Sequence, residues 1–156
     1  MGWLPSPWHD YRDAEGFDHA WSALAAEAGA RTTVVGSSVL GTPIRRFDFG
    51  PPSGAPVLLT GLVHGVELIG SVALLEFVQA VVRDPRADLL RTARLVVVPV
   101  VNPDALHANC VRIVAGRRAF QRCNANGVDL NRNFPRLKDR MPLNPLGGSR
   151  WRRALH

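Results

Sequence analysis

The chain has 156 residues, 46% of them hydrophobic and 21% charged, which is the balance of a folded globular protein and excludes a disordered or fibrous one. Its formal net charge is +6, carried almost wholly by arginine, with Lys138 the only lysine. The arginines are scattered among Asp and Pro instead of lining one helix face, which argues against nucleic acid as a partner.

Residues 1–14, rich in Trp, Pro and Asp, read as an irregular lead-in. They hold neither the basic start nor the apolar stretch of a signal peptide, so the expected location is cytoplasmic. Gly2 and Ser6 meet the loose myristoylation pattern, but Trp3 and two prolines make a poor acceptor. From Glu15 to Ala28, Phe17, Ala20, Trp21, Leu24 and Ala25 recur at helical spacing, and Gly29 is a natural stop. Two β-type runs follow, Thr32 to Val39 and Ile44 to Phe49, joined through Gly41-Thr42-Pro43 as a hairpin. Pro51-Pro52-Ser53-Gly54 is a turn. Val57 to Val63 is an apolar run typical of a strand covered on both faces. Glu67 to Val82 places Leu68, Val72, Leu75, Val78 and Val82 on one helical stripe, and Leu95 to Val101 is a second apolar strand. Strand, helix, strand implies a parallel crossover and therefore an α/β fold. From Asn102 onward the pattern reads as polar, Arg-rich and loop-rich, ending in a cationic patch of Arg150, Arg152 and Arg153. No apolar run approaches the roughly 18 residues of a membrane-spanning helix. Cys110 and Cys123 form no C-x-x-C and read as reduced thiols.

Three segments carry chemistry. His64-Gly65-Val66-Glu67 lies where a strand gives way to a helix, the edge at which α/β sheets commonly place ligands. Its spacing lets an imidazole and a carboxylate converge on one metal, and this donor pair suits zinc. Taken alone, H-x-x-E also describes a helix N-terminus with a solvated acid. Asn102-Pro103-Asp104 follows the next strand, with Asp104 able to cap a following helix. Asn126 to Pro135 is too polar and too punctuated for a helix or strand; Asn131 and the forked donors of Arg132 suit a substrate carboxylate.

In this order and spacing the three segments resemble the zinc carboxypeptidase family of carboxypeptidase A. The run Gly127-Val128-Asp129-Leu130-Asn131-Arg132-Asn133-Phe134 is its most specific part, and Gly41-Thr42-Pro43-Ile44 and Leu59 to Glu67 also resemble it. Arg122-Cys123-Asn124-Ala125-Asn126-Gly127 looks closest to the bacterial branch that includes murein peptide amidases. The resemblance implies a phosphorylase/hydrolase-like α/β fold, a mixed and largely parallel sheet flanked by helices, incomplete here at the C-terminal end. Residues 15–156 would then be the N-terminal part of a zinc peptidase domain. It further implies Zn2+ held by His64 and Glu67, a substrate carboxylate held by Asn131 and Arg132, and a carbonyl-polarising arginine. Arg122 is the choice for that arginine, with Arg117 and Arg118 as lesser candidates; Asp129 orients neighbouring groups.

The family's third ligand, a histidine, and its general-base glutamate are expected beyond this chain. His156 falls short of the ligand's spacing. The expected activity is hydrolysis of an amide bond next to a terminal carboxylate, with these residues inactive by themselves. The alternatives are a non-catalytic module that binds peptide carboxylates and a related zinc acylase. The last parallel strand is expected to present an uncovered apolar edge open to self-association.

Overall fold

The computed structural model describes residues 13–84 and 88–134. The N-terminal lead-in through Arg12, the terminal arginine patch and His156 lie outside the described residues.

Asp13 begins the fold by capping helix α1 (Ala14–Glu27): its carboxylate accepts from Gly16 N at 2.7 Å. Ala14, Phe17, Trp21, Leu24 and Ala25 are buried along one stripe, and the helix ends before Gly29, whose φ of 61° suits glycine. Strands β1 (Arg31–Ser37) and β2 (Pro43–Phe49) pair antiparallel as the expected hairpin. Strand β3 (Ala55–Thr60) leads to helix α2 (Leu68–Arg83), and a single turn, α3 (Leu89–Thr92), leads into β4 (Ala93–Val98). Among the described residues the sheet has the order β1-β2-β4-β3 and is mixed: β4 runs antiparallel to β2 and parallel to β3.

Register explains the packing. Residues opposite one another share a face, so Phe47, Val97 and Leu59 line one side, as do Phe49, Leu95 and Val57. Phe47, Phe49, Leu95 and Val97 join Phe17, Trp21, Leu75 and Val78 in one buried cluster, and Trp21 stacks on Phe47 with ring centroids 5.7 Å apart. The opposite parity of β4 is only half-buried.

Three sequence expectations change here. β3 is not covered on both faces, since Val57 and Leu58 are exposed. The last strand among the described residues, β4, is interior, and the outer strand with parallel pairing is β3. The stretch after Asn102 opens with a 12-residue helix, α4 (Pro103–Val114), in place of a loop. Its cap is Asn102, which accepts from Ala105 N, and not Asp104. Asp104 is buried and instead fastens the β1–β2 turn, accepting from Ser38 Oγ at 2.6 Å, Leu40 N at 3.2 Å and Thr42 Oγ1 at 3.3 Å.

Asp48 is buried in β2 between Arg31 and Arg46, which donate to it at 2.7 and 2.8 Å. Burial pushes its carboxyl up, but the hydrogen bonds and charges of both arginines outweigh burial and hold it below the ordinary range. A depressed acid stabilises the fold above its unfolded pKa of roughly 4, and that stability is lost as pH falls through the lower folded value. Asp48→Asn should therefore cost about 1–3 kcal/mol at neutral pH and flatten the loss of stability below about pH 4, measured by denaturant unfolding across pH. An unchanged acid limb would contradict this.

Candidate metal site

Beyond β3 and β4 the two chains run on side by side: Gly61 N donates to Val98 O, Val101 N to Gly61 O and Asn102 N to Leu62 O. Leu62, at φ 47°, is the only non-glycine residue with positive φ among those described, and it turns the chain out of the sheet. Such strained residues cluster where a fold holds a functional geometry. His64 follows two residues later and is 3% exposed. Gly65 has no room for a side chain, because a Cβ there would meet Ala105 Cβ and Gln121 O. Glu67 is the N-cap residue of α2, makes no capping hydrogen bond, and leaves its carboxylate 56% exposed.

The His64 imidazole is engaged on both nitrogens. Nδ1 faces Glu67 Oε1 at 2.9 Å, and Nε2 faces Asp129 Oδ1 at 2.9 Å. Each partner is a carboxylate, which only accepts, so a cation that took the place of hydrogen at Nδ1 would leave the ring hydrogen on Nε2, donated to Asp129. Arg122 closes the cluster. Its Nη2 lies 2.9 Å from His64 Nε2, its Nε donates to Asp129 Oδ2 at 3.3 Å, and its Nη1 is 3.9 Å from Glu67 Oε1. With a hydrogen on Nε2, the guanidinium would be held there by the carboxylates and not by the ring.

Asp129 reaches the imidazole because the preceding loop is folded on Asn124. The Asn124 side chain accepts from Asn126 N and Val128 N, and its backbone N–H donates to Val128 O. Asp129 then caps a 3₁₀ turn, Leu130–Arg132, by accepting from Asn131 N at 3.0 Å. The His64 hydrogen bond lowers the Asp129 carboxyl; burial opposes this, and Arg122 and the Asn131 N–H lower it further. The aspartate is thus held ionised.

The structure therefore brings together His64, Glu67, Arg122 and Asp129. Asn131 joins them through its backbone bond to Asp129, while its side chain and that of Arg132 are exposed, Arg132 Nη1 donating to Asn131 O at 3.2 Å. Arg117 and Arg118 are exposed. Sequence reasoning singled out the Asn102 segment but gave the cap to Asp104, and it missed Asn109. The pairing of Asn102 with Pro103 at the first helical position was the available signal for a cap; for Asn109 there was none.

An imidazole nitrogen and a carboxylate oxygen facing each other at 2.9 Å share either a hydrogen or a cation. Two ligands on tetrahedral zinc stand about 3.3 Å apart, so opening by a few tenths of an ångström would admit the metal. One nitrogen and one oxygen donor, with the distal ring nitrogen held by a carboxylate, is the chemistry of a zinc ligand pair. The residues fit the metal. Among the described residues, no three His, Cys, Asp or Glu side chains are placed to hold one metal ion together.

The model of a family described as zinc carboxypeptidase matches residues 18–145. Carboxypeptidase E of Caenorhabditis elegans is 34% identical over 116 residues, covering 66% of this chain and 25% of that protein. The carboxypeptidase N catalytic chain of Mus musculus is 30% identical over 132 residues, covering 73% and 28%. Among solved structures, carboxypeptidase A from Helicoverpa armigera superposes with a TM-score of 0.60 at 26% identity, covering 81% of this chain and 34% of that one. A metallo-carboxypeptidase from Burkholderia cenocepacia gives 0.62 at 24% identity, covering 76% and 31%. The chain spans about a quarter of the length of these two curated relatives.

Two-bond 1H–15N NMR spectra of the Zn2+-loaded chain at neutral pH should show hydrogen on Nε2 of His64, and Asp129→Ala should abolish that preference. A bare Nε2 in the unsubstituted chain would contradict the assignment.

Proposed function

The chain belongs to the zinc carboxypeptidase family, and from that premise we propose that it supplies the amino-terminal half of a zinc-dependent peptidase site. The reaction would be hydrolysis of an amide bond next to a free terminal carboxylate. The observation that carries this reading is the convergence of His64, Glu67, Asp129 and Arg122 at 2.9–3.9 Å from segments far apart in the chain.

His64 and Glu67 would hold the metal, which when bound supplies a Lewis acid and a water of lowered pKa. Asp129 orients the His64 ring and fixes its hydrogen on Nε2. Arg122 directs a forked cation at the site, half-exposed and braced by Asp129, where it can donate to a carbonyl oxygen as negative charge develops on it. Asn131 and Arg132, exposed on the 3₁₀ turn, offer donors for the substrate carboxylate. Within the family, the run Arg122 to Gly127 supports the bacterial peptide amidase-like branch as the origin of the substrate, a cell-wall peptide.

These residues do not make a complete catalyst. The chain has no glutamate after Glu76 to serve as a downstream general base. We therefore expect residues 1–156 alone to bind Zn2+ but to hydrolyse peptides negligibly. Calorimetric titration should show Zn2+ affinity falling at least tenfold in His64→Ala and in Glu67→Ala. Affinity unchanged from the unsubstituted chain in both variants would remove the metal assignment, and chelator-sensitive release of a C-terminal residue would overturn the inactivity. For the carboxylate pocket, Arg132→Ala should weaken binding of a peptide with a free C-terminus by about tenfold and leave its amidated counterpart unaffected. Equal loss for both peptides would show that Arg132 does not read the carboxylate.

A further inference from the structure

We propose that Asn109 of α4 is a positioning residue that locks the metal-ligand turn to the segment bearing Arg122. Asn109 is 5% exposed. Its Nδ2 donates to Gly65 O at 2.6 Å and to Gln121 O at 2.9 Å, and its Oδ1 accepts from Gln121 N at 2.7 Å. Gly65 lies between His64 and Glu67, and Gln121 immediately precedes Arg122. One side-chain amide therefore spans two segments that contribute different functional groups.

The backbone completes the lock: Gly65 N donates to Arg122 O at 3.0 Å. Asn102, one face-repeat earlier on α4, points its Nδ2 at Val63 O and Arg122 O at 3.4 and 3.5 Å, and so reinforces the same junction more weakly. The requirement is specific to an amide. Two carbonyl oxygens and one N–H converge on the side chain, so it must donate twice and accept once. A carboxylate would set acceptor against acceptor, and an apolar side chain would leave three backbone groups without their partner. The Cα of Gly65 also packs so closely on Ala105, one turn before Asn109, that the turn cannot slide along α4 to find other bonds.

The zinc arm of the test rests on the metal reading above, and a second arm does not. Asn109→Asp, which keeps shape but removes both donors, should weaken Zn2+ binding about tenfold in titration. Asn109→Ser is the milder variant should the first fail to fold, and it should weaken binding in the same direction. Leu106→Ala, a core truncation on the same helix, should lower the unfolding midpoint and leave Zn2+ affinity unchanged. Unaltered Zn2+ affinity in the folded Asn109 variants would overturn the proposal, as would an equal loss in Leu106→Ala. If the unsubstituted chain takes up no Zn2+, the metal reading fails and hydrogen exchange decides the lock alone. The amides of Gly65 and Gln121 should exchange at least about tenfold faster in the Asn109 variants, and not in Leu106→Ala. Unchanged protection there would remove the proposal.

Discussion

The hydrogen bond from His64 Nε2 to Asp129 is the interaction on which the rest of the site depends. It joins the end of β3 to a loop that follows α4, and it decides which nitrogen of the ring is free. With Nε2–H committed to Asp129, Nδ1 is presented toward Glu67, and a carboxylate and an imidazole face one another at 2.9 Å. The same aspartate accepts from Arg122 and from the Asn131 backbone. Charge-assisted bonds of this kind are roughly twice as strong as neutral ones, so one anionic side chain sets the place of the His64 ring, the Arg122 guanidinium and the Leu130–Arg132 turn.

Around this bond the fold buries polar side chains because each has several partners. Asp104 takes three donors from the β1–β2 turn, and Asp48 takes both neighbouring arginines. A buried polar group that lost its partners would cost about 1–3 kcal/mol. Helix α4 is therefore more than a cover for the core. Its apolar residues Leu106 and Cys110 join the hydrophobic cluster, while Asn102, Asp104 and Asn109 tie down three separate loops.

That double duty explains what was legible in the sequence. The α1 stripe, the hairpin, and the strand–helix–strand core announce themselves because their buried residues are apolar and periodic. His64, Glu67, Asp129 and Arg122 were reached through the resemblance to the zinc carboxypeptidase family, because H-x-x-E and a polar loop each have bland readings when taken alone. Helix α4 was not legible: three of its buried or capping positions are Asn or Asp, and composition assigns such residues to loops. What makes them helical is tertiary, since their partners lie in β1–β2, in the Gly65 turn and at Gln121. The coverage of β3 was misjudged for a related reason. An apolar run reports that a strand favours burial, whereas which strand lies at the margin follows from the order β1-β2-β4-β3.

X-ray absorption at the zinc edge of the metal-loaded chain bears most directly on this picture. His64 and Glu67 should give a first shell of nitrogen and oxygen only, near 2.0–2.1 Å, with the outer-shell signature of one imidazole that disappears in His64→Ala. Sulfur at about 2.3 Å would place the metal on Cys110 or Cys123, and an imidazole signal that survives His64→Ala would place it on another histidine. Either observation would contradict the site described.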